Sequence, residues 1–151
     1  MKERLLESAR QLNQPAGEIV EEFSLKYSEM AEKGNQILLK RPDLEKLIGE
    51  GNWGMARDNN RNFARFMESM FLNYNPEVFT ETVFWVFRAY RSHGFQTTYW
   101  AANLNIWLEM LEEDLSPEAF RGLEPFYNWI IVNIPVFTLL SDEAAAGTKK
   151  A

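Results

Sequence analysis

A chain of 151 residues with net charge −6, 46% hydrophobic and 14% aromatic residues suits one domain with a sizeable core and is too apolar to be disordered over most of its length. The acidic balance argues against non-specific binding to nucleic acid or to an anionic membrane surface. Cysteine is absent, which removes disulfides, thiolate nucleophiles and iron–sulfur or zinc–thiolate sites and is compatible with a cytoplasmic protein.

Residues 2–12 read as a short amphipathic helix with Leu5, Leu6, Ala9 and Leu12 on one side, broken by Asn13-Gln14-Pro15. Residues 15–33 continue with Ile19, Phe23, Tyr27 and Met30 at helical spacing, and Glu22–Lys26 and Glu29–Lys33 are i,i+4 pairs in the favourable orientation. Gly34 is expected to cap this helix at its C-terminus. Residues 35–54 are the least regular part: a short helix from Asp43 to Ile48, then Gly49, Gly51 and Gly54, a loop that admits positive φ. No strand precedes these glycines and no Gly-Lys-Ser/Thr follows, so they are not a phosphate loop.

The spacing predicts a helix over residues 55–73, with Phe63, Phe66, Met67, Met70 and Phe71 inward. Asn75-Pro76-Glu77 then starts another: Asn caps, Pro suits the first turn, Glu meets the helix dipole. It carries Phe79, Val83, Val86, Tyr90 and His93 on one face. Ser92-His93-Gly94-Phe95 breaks the chain. Residues 96–115 show Trp100, Leu104, Trp107, Leu111 and Leu115 on one face, and Tyr99, Asn103, Ile106 and Met110 on another. A helix apolar on more than one side is expected to be buried between neighbours. Ser116-Pro117-Glu118 opens a last helix to about Leu140, with Leu123, Phe126, Tyr127, Ile130, Ile134 and Phe137 inward and Pro125 and Pro135 bending or dividing it. The apolar run Trp129–Leu140 is too short to span a bilayer, and no N-terminal run has the pattern of a secretory signal. From Ser141 a mobile tail is expected. The fold class is therefore all-α, with five or six helices over residues 1–140.

Candidate chemistry is sparse. His93 is the single histidine; at the end of an apolar helix it is either a dipole-favoured residue or an axial haem ligand. Arg57, Arg61 and Arg65 fall at i, i+4, i+8, a repulsive spacing that solvent with Asp58 and Glu68, or else an acidic ligand or partner surface, is expected to offset. Glu109, Glu112, Glu113 and Asp114 crowd one helix end, but a di-metal carboxylate bundle needs Glu-x-x-His pairs that one histidine cannot supply, so no metal site is expected. No serine or threonine falls in a recognisable nucleophile motif, and no catalytic residue is assigned. The many large rings need polar partners when buried, drawn from Asn103, Asn128 or Asn133, and such a core can leave a ligand cavity. Its expected lining is Trp85, Tyr90, Trp100, Asn103, Trp107 and Tyr127.

The stretch Arg88-Ala89-Tyr90-Arg91-Ser92-His93-Gly94-Phe95, with Leu104-Asn105-Ile106-Trp107-Leu108-Glu109-Met110-Leu111 after it, resembles the N-terminal sensory domain of stressosome RsbR-type proteins, chiefly at Arg88-Ala89, Gly94, Leu104, Trp107 and Leu111. The resemblance implies a globin-like fold without haem, a sensory or regulatory stress-response role, no catalytic residues, and a homodimer through the last two helices. RsbR-type proteins carry an output domain after this one. Here only a short tail follows, so the resemblance implies either a separate signalling partner protein or a chain that is one piece of a longer protein. The same arrangement is similar to globin-coupled sensors, which gives the alternative: a haem-binding gas sensor with His93 as ligand.

Overall fold

A computed structural model describes residues 1–150, with side chains to residue 147. Every regular element in it is helical: α1 (Lys2–Arg10), α2 (Gly17–Leu39), α3 (Leu44–Ile48), α4 (Trp53–Leu72), α5 (Pro76–Ser92), α6 (Thr97–Asp114), α7 (Pro117–Val132) and α8 (Ile134–Lys150). The all-α class holds, and eight helices replace the expected five or six. The short α1 and α3 count separately, and the last expected helix is two. Pro135 falls in the first turn of α8, where its missing N–H is harmless, and α7 and α8 meet at 45°. Pro125 lies inside α7 without ending it. No single helix among the described residues is long and apolar enough to cross a membrane.

The starts of α5 and α7 form as their sequences dictate. The Asn75 side chain accepts from the Glu77 and Val78 amides, and Ser116 Oγ accepts from the Ala119 amide. At the second, Glu22 of α2 adds a cap from afar, accepting from the Ser116 amide and hydroxyl at 2.6 and 2.8 Å. That bond from the Ser116 amide is the main reason the Glu22 carboxyl is held below its ordinary pKa. Lys33, expected to pair along α2, bonds Asp114 and Glu113 at the end of α6 instead, and Lys26 donates to the Asp114 carbonyl. The crowded acidic end of α6 is thus tied to α2.

Helix α6 lies at the centre, in contact with α2, α3, α7 and α8. It buries Tyr99, Trp100, Asn103, Leu104, Ile106, Trp107, Met110 and Leu111. Gly34 is not a cap: α2 runs on to Leu39, and a Cβ at Gly34 would stand 3.0 Å from Met110 Cε. Here α2 passes against the Met110 and Ile106 side chains of α6. The break between α5 and α6 turns at Gly94, φ +102°, a conformation that side-chain-bearing residues rarely adopt. The loop before α4 fastens this turn: Asn52 Nδ2 donates to the carbonyls of Ile48 and His93, and the Gln96 amide donates to the Leu47 carbonyl, each at 2.8 Å.

The first helix and the start of the expected tail are both tied to the rest of the fold. α1 is anchored, with Trp129 Nε1 donating to Ser8 Oγ and the Tyr74 hydroxyl donating to the Ala9 carbonyl. The expected tail is helical through Lys150: Leu140 and Ser141 are buried, and Asp142 pairs with Arg91 of α5 at 2.7 Å. Only the end of that tail, Ala151, lies outside the described residues.

Candidate functional site

α5 leans chiefly on α1 and α8 and meets α4 where the Phe66 and Phe79 rings stack. The gap between α4 and α5, floored by α6, is a cleft of about 270 Å³. Its walls are Asn59, Asn62, Phe63 and Phe66 from α4, and Thr82, Val83, Trp85, Val86, Phe87 and Tyr90 from α5. Trp100, Asn103 and Leu104 form the floor, and Ile130 and Ile134 close the far end at the α7–α8 junction. Phe63, Phe66, Val83, Val86 and Tyr90, which line this space, are only partly buried. Trp85 stands at the rim, 67% exposed.

Of the six residues expected to line a cavity, Trp85, Tyr90, Trp100 and Asn103 do so, and Trp107 and Tyr127 do not. Both are fully buried behind the wall: Phe63, which lines the cleft, packs edge-on against each of them. The Tyr127 hydroxyl has no partner there, and burial pushes its pKa strongly upward. His93 is not brought to the cleft. It caps the C-terminus of α5, exposed, with Nδ1 2.8 Å from the Ala89 carbonyl. It therefore leaves the apolar face it was expected to continue, and the cleft has no imidazole with which to hold a haem iron.

Beneath the floor runs a chain of buried amides that sequence reading largely missed. Asn35 Nδ2 donates to the Arg57 carbonyl at 3.2 Å, and Asn35 Oδ1 accepts from Asn60 Nδ2 at 2.8 Å. Asn60 Oδ1 in turn accepts from Asn103 Nδ2 at 2.9 Å and Trp107 Nε1 at 3.0 Å. Alongside it, Asn59 Nδ2 donates to the Tyr99 hydroxyl. Asn103 was expected inside; Asn128 is exposed and Asn133 bonds the Trp129 carbonyl locally. Asn35, Asn59 and Asn60 carry a faint signal, neutral amides on otherwise apolar helix faces, but nothing local says which amide meets which. One atom of the chain is left over. Asn103 is 1% exposed, and its Oδ1 has no hydrogen-bond partner.

Among the described residues, the cleft lining holds no carboxylate, histidine, lysine or arginine, and Tyr90 is its one titratable group. Burial, then the charge of Asp58, push the Tyr90 pKa upward, so it stays a neutral phenol at ordinary pH. The arginine row on α4 faces elsewhere. Arg61 forms a two-pronged pair with Glu32 of α2, the partner sequence spacing did not suggest; Arg57 lies by Asp58, and Arg65 bonds Asn62. No group of three potential metal ligands occurs among the described residues. The site can hold an apolar molecule and offer it a few polar contacts. No protein family, curated protein or solved structure matches the chain.

Proposed function

We infer that the chain is a non-enzymatic sensory or regulatory module of the globin-like kind, working without haem, that binds a small apolar molecule in the α4–α5–α6 cleft. The supporting observation is the cleft itself. A helix as apolar as α5 should be covered, yet α5 turns Val83, Val86 and Tyr90 to an open space. The scarcity of titratable groups there favours binding over catalysis, and the position of His93 outside the cleft disfavours the haem-binding alternative. The composition and the absence of cysteine suit a cytoplasmic stress-response protein of the RsbR-like type.

The signal leaves through the last two helices. Ile130 and Ile134 belong both to the cleft and to the α7–α8 junction, and Arg91 joins α5 to α8 through Asp142 and the Thr138 carbonyl. A ligand that favours one seating of α5 would bias α8 with it. Exposed Val132 and Leu139 on these helices suit a homodimer contact or a partner protein. Native mass spectrometry and thermal melting test the two halves. Expected are a two-chain mass at micromolar concentration and a rise in melting temperature with apolar aromatic compounds, erased by Val86→Trp, which fills the cleft. A one-chain mass removes the dimer, and the absence of any shift removes the ligand.

A further inference from the structure

The buried amides fix the polarity of the cleft floor. A backbone carbonyl only accepts and an indole N–H only donates. The Arg57 carbonyl stands at one end of the amide chain and Trp107 Nε1 at the other. Asn35 must therefore turn its NH2 to Arg57 and its oxygen to Asn60. Asn60 must give its NH2 to Asn35 and keep its oxygen for Trp107. Asn103, facing that same oxygen, must donate to it. Flipping any one amide sets donor against donor or acceptor against acceptor, so each orientation follows from the two ends. What remains unmatched on Asn103 is an acceptor, Oδ1.

Buried acceptors without partners are uncommon and call for a partner. Asn103 belongs to the cleft lining, and its neighbours there are mostly rings and aliphatic chains: Phe63, Val83, Trp100 and Leu104. We propose that the cleft selects a small, flat apolar molecule carrying one hydrogen-bond donor, an aromatic N–H or O–H, which Asn103 Oδ1, sealed from solvent beneath the cleft surface, accepts once the side chains over it shift. This rests on the ligand-binding reading above and names the class of ligand. The size agrees. An apolar cavity of about 150 Å³ accommodates benzene, so about 270 Å³ has room for a fused two-ring compound. Trp85 at the rim offers a further ring face.

Indole and benzofuran are matched probes: nearly the same shape, with N–H in one replaced by a ring oxygen that cannot donate. Calorimetric titration of the full chain should give indole a dissociation constant on the order of 0.1–1 mM and benzofuran an affinity about threefold to tenfold lower, the worth of one ordinary hydrogen bond. Val86→Trp should abolish binding of both. Equal affinities would overturn the donor rule and leave the apolar-ligand reading standing. Binding of neither compound would overturn both. Indole binding that survives Val86→Trp would place the compound outside the cleft and overturn the proposal.

Discussion

Helices α5 and α6 are consecutive, similar in length and both rich in large apolar side chains, yet the fold treats them differently. α6 buries eight residues, whereas α5 buries only Phe79 and Phe87 and leaves Trp85 standing in solvent. The cause lies in the neighbours. α6 is packed by α2, α3, α7 and α8, while α5 rests chiefly on α1 and α8 and meets α4 where Phe79 stacks on Phe66, the rest of that side opening to the cleft. Apolar composition says that a helix needs cover; it does not say what provides it. For α6 the cover is the protein. For α5 part of it is left open at the cleft along its inner face, which on the reading proposed above a ligand covers.

The sharpest way to break this contrast is to exchange a tryptophan for alanine on each helix. Trp107→Ala removes a fully buried indole and its bond to Asn60, and should lower stability by about 3–5 kcal/mol in urea denaturation. Trp85→Ala should stay within about 0.5 kcal/mol while weakening indole binding. Comparable losses would mean that α5 is as much core as α6. Next comes Asn60→Leu, which strips partners from Asn103 Nδ2, Trp107 Nε1 and Asn35 Oδ1. The expected loss is roughly 2–4 kcal/mol, and a neutral result would show the amide chain to be dispensable. Gly94→Ala places a Cβ at φ +102° in the joint between the two helices. It should cost about 1–3 kcal/mol, read from the same denaturation curves.

How much of this was legible in sequence follows the range of the interactions. The starts of α5 and α7 were readable because Asn75 and Ser116 bond amides two or three residues away. The positive φ at Gly49 and Gly51 was readable too, although Gly54 already belongs to α4. Four of the six residues expected at a cavity, Trp85, Tyr90, Trp100 and Asn103, line the cleft, although Trp85 and Tyr90 stand five residues apart and not the three or four that make helical neighbours. Trp107 and Tyr127 failed because spacing gives a face and not a depth. Gly34 was misread as a cap because α2 runs on past it to Leu39, packed there against Met110, 76 positions further along the chain. Asn35 and Asn60 were missed for the same reason, and so was the Glu32 partner of Arg61. The end of the last helix was placed too early, near Leu140, because Ala144, Ala145 and Ala146 suit a helix as well as a linker and the Arg91 partner of Asp142 is distant in sequence.

The smallest expected effect is in the tyrosines. Burial raises Tyr99 on α6 strongly and Tyr90 on α5 more modestly, and it pushes Tyr74 up to about 12. An unfolded phenol ionises near pH 10. Above that pH the unfolded chain releases protons that the folded chain keeps, so stability is full below about pH 10 and falls as the pH rises toward 12. Alkaline titration of phenolate absorbance should show Tyr90 ionising in the folded protein and Tyr99 only on unfolding. Loss of both together would put them in equivalent surroundings.

The most direct test of the cleft as a ligand site is an indole titration followed by nitrogen–proton NMR of the full chain. Saturable shifts are expected at the Trp85 indole N–H and the Asn103 side-chain amide, with smaller ones carried to Trp107 through Asn60. Shifts that never saturate, or that fall away from α4, α5 and α6, would contradict it.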